Sequence, residues 1–142
     1  MKIFTLLLLL ISLLFSSKLT KSGNYVIDDK NKLMWQDNMD NVKVIVTYET
    51  AKDYCGKLVL GGFRNWRVPT VDEYKSIIDK TRKDEIMINR KFKYILPEGY
   101  WTADDTWRNF GLWAYYIYFK SGTAYYENRT YPKLVRCVRS LK

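Results

Sequence analysis

The chain has 142 residues, of which 47% are hydrophobic and 16% aromatic, enough apolar and ring surface for a packed domain and too much for a disordered chain. It contains no histidine, which removes the Ser-His-Asp triad, the usual general base and the commonest zinc ligand. The formal net charge of +9 favours anionic partners at low salt.

Met1-Lys2 is followed by an apolar run from Ile3 to Phe15, interrupted only by Thr5 and Ser12, and then by Ser16, Ser17 and Lys18. One positive charge, about a dozen apolar residues and small residues behind them form the pattern of a secretory signal peptide. The run falls short of the roughly 20 apolar residues of a membrane span, so no membrane span is expected in the mature form. Residues 1–17 read as the signal peptide, 18–24 as a short tether and 25–142 as one domain. Phe15 suits the small-residue rule before a cut at Ser17 poorly, so the cut position and an uncleaved anchor stay open. Lys2 is the only charged residue in 1–17, and removing it from +9 leaves +8.

Tyr25-Val26-Ile27 and Leu33-Met34-Trp35 flank the turn-forming stretch Asp28 to Lys32 and predict an N-terminal β-hairpin. Val42 to Val46 is a second β-prone piece. Thr47 can cap a helix whose Ala51, Tyr54, Cys55 and Leu58 follow one-face spacing, which puts Cys55 on the buried side. Gly61-Gly62 ends that helix or follows it closely. Thr70 and Glu73 have capping-box spacing and open a second helix, with Tyr74, Ile77 and Ile78 as its apolar stripe and an end near Lys80. Thr81 to Lys93 is charged and irregular and reads as loop, with room for a short helix. Trp113 to Phe119 and Thr123 to Tyr126 are β-prone around a Ser121-Gly122 turn, and Leu134 to Val138 is a closing strand. The order predicts an α+β fold with two helices, an antiparallel β-section and long loops.

Cys55 and Cys137 form an even count in an exported chain, and they are expected to close the domain as one disulfide. In Trp66-Arg67-Val68-Pro69-Thr70 the favoured reading is structural: a core tryptophan, an arginine paired with an acid or carbonyls, and a helix start. The most site-like stretch is Trp101 to Asn109. It joins two acids, two tryptophans, an arginine and an asparagine in a loop between β-prone segments. Asp104 and Asp105 are candidate oxygen ligands by type, but solvated loop acids are the better reading, and no metal or other cofactor is expected. As ligand-binding residues the candidates are Trp107, Arg108, Asp104, Asp105 and Asn109.

These motifs resemble the Lcl C-terminal domain family, named after a collagen-like bacterial adhesin. The pattern appears here as Ala51 to Cys55, Leu58, Gly62, Trp66 to Glu73, Tyr100-Trp101-Thr102 and Val135 to Arg139. Leu33-Met34-Trp35 matches the tryptophan-bearing strand that opens such domains. Val68 and Tyr74 stand where the pattern has leucine, and both keep apolar bulk. The collagen-like region is missing, so adhesion through many linked copies does not carry over. The resemblance implies a C-type-lectin-like fold, related also to formylglycine-generating enzymes. It implies a bacterial protein, secreted, periplasmic or at the cell surface, that binds ligands rather than catalysing, with sulfated glycans as the ligand class. It also places the ligand on the long loop, which is the stretch singled out above. Those related enzymes bind copper through a cysteine pair; with no second cysteine near Cys137, the disulfide is the better reading.

Basic residues cluster at Lys80, Arg82, Lys83, then Arg90, Lys91, Lys93, then Arg129, Lys133, Arg136, Arg139. Outside the cell, fitting partners are acidic or sulfated polysaccharide, lipid head groups or extracellular DNA, without sequence-specific nucleic-acid recognition. The leading expectation is a non-catalytic module for anionic or carbohydrate ligands. The alternative is an accessory subunit of an envelope assembly that binds protein through exposed tyrosines.

Overall fold

The computed structural model describes residues 18–142; the expected signal peptide lies outside the described residues. Thirteen short elements follow in order. They are β1 (Leu19–Ser22), β2 (Tyr25–Asp28), β3 (Leu33–Gln36), α1 (Asp40–Lys43), β4 (Ile45–Val46), α2 (Tyr48–Lys57) and α3 (Val71–Ile77). Then come β5 (Gly99–Thr106), the turn α4 (Arg108–Gly111), β6 (Trp113–Tyr118), β7 (Thr123–Asn128), β8 (Lys133–Leu134) and β9 (Val138–Ser140). The fold is α+β, and only α2 and α3 exceed a single turn among the described residues.

Two sheets organise it, one in the order β1-β2-β3-β9 and one in the order β4-β8-β5-β6-β7. All pairs are antiparallel except β5 with β8, which is parallel, a departure from the purely antiparallel expectation. The predicted hairpin is β2–β3, with Tyr25 opposite Gln36. The stretch expected as a tether carries β1, paired along its length with β2. Leu19 is buried there, and Lys21 reaches back to Asp37, so residues short of the domain motif are part of the fold.

Strand alternation splits the core in two. Tyr100 and Ile117 join Trp35, Tyr74, Ile77 and Phe119 in one cluster. Trp101, next to Tyr100, and Ala114, three positions before Ile117 on the opposite face of β6, join Met34, Tyr48, Ala51, Cys55 and Trp66 in the other. Cys55 on α2 is bonded to Cys137, with Cα atoms 5.5 Å apart, as expected.

Both predicted caps form. Thr47 accepts from the Thr50 N–H, and Thr70 with Glu73 makes a full capping box. Helix α3 stops at Ile77, short of Lys80, because Ile78 turns extended and bridges to Ile88. The β-prone stretch Val42 to Val46 yields a two-residue strand preceded by the helical turn α1. Asn41 explains this: its buried side chain accepts from Asn38 N–H at 3.0 Å and donates to the Val135 carbonyl at 3.1 Å, which a strand would not allow.

The closing strand is the largest correction. Leu134 to Val138 divides into β8 and β9, which belong to different sheets. The crossing carries Arg136, fully buried, whose guanidinium donates to the carbonyls of Gln36 and Tyr94 and pairs with buried Asp37. A continuous strand would point this cation away from the acceptors that neutralise it.

Candidate functional site

Strands β5 and β6 form a hairpin whose tip is the stretch Trp107 to Leu112. Its base is set by a register shift between Trp101 and Asp105. Buried Thr102 donates to the Tyr115 carbonyl at 2.9 Å and accepts from the Asp104 N–H at 3.1 Å, which holds the bulge. Ala103 N–H donates to the Pro69 carbonyl at 2.7 Å, tying the hairpin to the start of α3.

The bulge sends the two acids to different tasks. Asp104 accepts from the Val71 N–H at 2.7 Å, serving an unpaired donor at the first turn of α3. Asp105 accepts from Arg129 at 3.0 Å, and Arg129 also donates to Glu49 at 3.2 Å while its guanidinium lies 4.7 Å from the Tyr48 ring centre. Both acids are therefore engaged in the scaffold and not presented together to a ligand.

The tip itself is different. Trp107 is 86% exposed and Phe110 is 101% exposed, with Leu112 exposed behind them. Asn109, Phe110 and Gly111 have φ of 51°, 57° and 75°, so the tip is a left-handed turn rather than a regular helix. It is nonetheless hydrogen-bonded: Gly111 N–H to Trp107 O at 3.2 Å, Leu112 N–H to Asn109 O at 3.1 Å, Arg129 N–H to Leu112 O at 2.9 Å. Arg108 N–H donates to the Thr106 hydroxyl at 3.2 Å. Asn109 acts through its backbone here, since asparagine tolerates the left-handed region.

Arg108 lies with its guanidinium 5.1 Å from the Tyr126 ring centre and has no acidic partner within ion-pair distance among the described residues. Tyr126 packs against Trp113 at 5.3 Å and Tyr115 at 5.8 Å. These rings make an aromatic wall beside the tip, one layer of the hairpin's outer face. Of the five candidate residues, the structure thus brings Trp107 and Arg108 together with Phe110, Leu112 and Tyr126. It assigns Asp104 and Asp105 to the scaffold. Phe110 and Leu112 escaped the sequence reading because an apolar residue between β-prone segments reads as core; the signal was their place in a stretch with Asn109 and Gly111, both turn formers.

Elsewhere the residues behave structurally. Trp66 is 3% exposed and donates to the Phe63 carbonyl at 2.9 Å. Arg67 grips Glu73 through two bonds of 2.6 and 2.7 Å. Burial alone would raise the Glu73 pKa, but Arg67 and Thr70 outweigh it and hold the carboxyl below its ordinary range. A 610 Å³ open cavity beside this pair is lined by Lys52, Gly56 and Thr70 as well, yet Arg67 and Glu73 satisfy one another and Lys52 lies 3.8 Å from Glu49.

The basic clusters also divide. Arg136 and Arg139 are buried, and Arg82 is bound to Asp84 and the Ile88 carbonyl. Lys133 is half-buried with its Nζ 3.8 Å from the Tyr116 ring centre, and burial lowers its pKa. Lys80, Lys83, Arg90, Lys91 and Lys93 remain exposed.

No helix among the described residues is long and apolar enough to cross a membrane. A comparison with curated proteins finds no match. The helix carrying Cys55, the buried Trp66 turn, the Tyr100-Trp101-Thr102 strand and the closing Cys137 segment all lie within residues 24–139, which match the Lcl C-terminal domain, and the chain belongs to that family.

Proposed function

We propose that this protein is an exported, non-catalytic binding module of a bacterial envelope or surface, with a C-type-lectin-like fold, that takes anionic or carbohydrate ligands on its β5–β6 tip. The observation that carries the reading is one pair of neighbours: Trp107, 86% exposed, beside Arg108, which rests on Tyr126 without an acidic partner. A flat exposed ring stacks on a sugar face, and an unpaired guanidinium donates to sulfate or carboxylate in a forked geometry. The net charge adds long-range attraction. Membership of a family named after an adhesin agrees with binding as the task. The absence of histidine and the bonding of both cysteines leave no activated nucleophile of the common kinds.

The test is retention on heparin at low salt. The parent is expected to bind and to elute as salt rises, and Trp107→Ala with Arg108→Ala is expected to elute earlier while keeping its circular dichroism spectrum. A folded double variant that elutes with the parent assigns binding to the exposed lysine–arginine face at Lys80 to Lys93 instead.

One observation favours a second reading, an accessory subunit that binds protein. Tyr125, Tyr126 and Tyr131 are exposed, and the first two lie on β7, a free sheet edge. Binding through that edge would persist at high salt, where ion-driven glycan binding fades.

A further inference from the structure

The glycan reading uses Trp107 and Arg108 and leaves Phe110 and Leu112 without a role. Single exposed apolar residues are ordinary on protein surfaces. Here Trp107, Phe110 and Leu112, at 86%, 101% and 59% exposure, fall on one turn. Phe110 also stands at φ 57°, a region that bulky residues rarely adopt. The turn that throws this ring into solvent is therefore a costly conformation, held by the hydrogen bonds that close the tip and not by any packing of the ring itself.

The charge on the tip itself is positive. Arg108 is the one charged residue from Thr106 to Trp113, and Asp105 and Glu127 lie one strand row behind the tip, opposite Ala114, with Asp105 held by Arg129. Behind the protruding side chains stand Trp113, Tyr115 and Tyr126, which are partly exposed and joined by ring contacts. Trp and Tyr at this level, apolar side chains ahead of them and the Arg108 guanidinium beside them form the layering of a protein surface seated in a lipid interface.

We propose that the β5–β6 tip is an interfacial anchor for an anionic lipid bilayer. Phe110, Leu112 and Trp107 enter the boundary between headgroups and acyl chains, and Arg108 stays at the phosphates. Sugar hydroxyls offer nothing to the leucine side chain, and Trp107 already supplies the ring that a sugar face needs, so a glycan alone leaves Leu112 in water. Contact between two copies through the tip would bring one Arg108 against another. Three apolar side chains give only weak, reversible attachment, so anionic headgroups supply the second part of the affinity. The inference shares Trp107 and Arg108 with the glycan reading and rests on Phe110 and Leu112, which that reading does not use.

Co-sedimentation of the purified protein with vesicles of phosphatidylglycerol and phosphatidylcholine tests it, with pure phosphatidylcholine vesicles alongside. The parent is expected to partition onto the anionic vesicles and far less onto the neutral ones. Its tryptophan emission should shift to the blue and be quenched by brominated acyl chains. Phe110→Ser with Leu112→Ser should lower partitioning about tenfold or more, with heparin elution and melting temperature kept at the parental values. Equal partitioning of parent and variant would overturn the proposal and assign the binding to the apolar segment Ile3 to Phe15 or to diffuse charge. Absence of parental binding would overturn it as well. A concentration-dependent dimer in sedimentation velocity that the same variant abolishes would give the tip to self-contact instead. Loss of heparin retention in the Trp107/Arg108 variant bears on the glycan reading alone.

Discussion

Trp66 and Trp107 carry the same side chain into opposite circumstances. Trp66 is 3% exposed in the second core cluster, with its indole N–H bonded, whereas Trp107 is 86% exposed. Trp66→Ala opens a cavity and is expected to cost roughly 3–5 kcal/mol, seen as a large drop in denaturation midpoint. Trp107→Ala should change stability by about 0.5 kcal/mol or less and act on binding only. Equal effects on melting would contradict this division. The role of Trp66 was legible because Trp-Arg-Val-Pro-Thr joins a ring, an ion-pair donor and a helix start in five residues. The roles of Asp104 and Asp105 were not. Asp104 serves an N–H at Val71 and Asp105 serves Arg129, partners 33 and 24 positions away, and no local pattern announces a partner at that distance.

At the scale of elements, the caps and the hairpin followed from local chemistry and were readable. Thr47, Thr70 and Glu73 satisfy donors within three residues, and Asp28 to Lys32 is a turn by composition. The split of the last strand was not readable, because its cause is tertiary. Arg136 must meet Gln36, Asp37 and Tyr94, so the chain leaves one sheet for the other between Leu134 and Val138. Asp37 collects Arg136, Lys21 and the N–H groups of Lys93 and Tyr94, the last two at 2.9 Å. Burial raises its pKa, but these partners win, so the net shift is downward from 3.8. A depressed carboxylate contributes stability that is whole above its unfolded pKa and is lost as pH falls through the folded value. Acid titration followed by circular dichroism should therefore show stability falling away below about pH 3.8. In Asp37→Asn, less stable throughout, that acid-dependent fall should be smaller. An unchanged acid profile in the variant would remove Asp37 from the account.

The whole molecule is two sheets and two core clusters tied by one covalent bond. The bond joins α2 to the segment that crosses between the sheets, over a separation of 82 residues. In the chain-entropy description, closing such a loop stabilises by roughly 4 kcal/mol. Cys55→Ser with Cys137→Ser should lose about that much, and the unreduced denatured parent should show no thiol on labelling; two free thiols would contradict the bond. Charge is distributed less evenly than composition implies, because Arg82, Arg129, Arg136 and Arg139 are held by carboxylates, carbonyls or the core. Among the exposed cations, Arg108 at the tip and the lysines and arginine of Lys80 to Lys93 are the rival sites for an anion.

An amide and indole N–H titration by two-dimensional NMR, adding a short heparin oligosaccharide at low salt, separates these rivals most directly. The account predicts shifts concentrated on Thr106 to Leu112, with the Trp107 indole N–H and the neighbours Tyr126 and Arg129 among those that move. Shifts centred on Lys80 to Lys93 with a still Trp107 indole, or none at all, would contradict it.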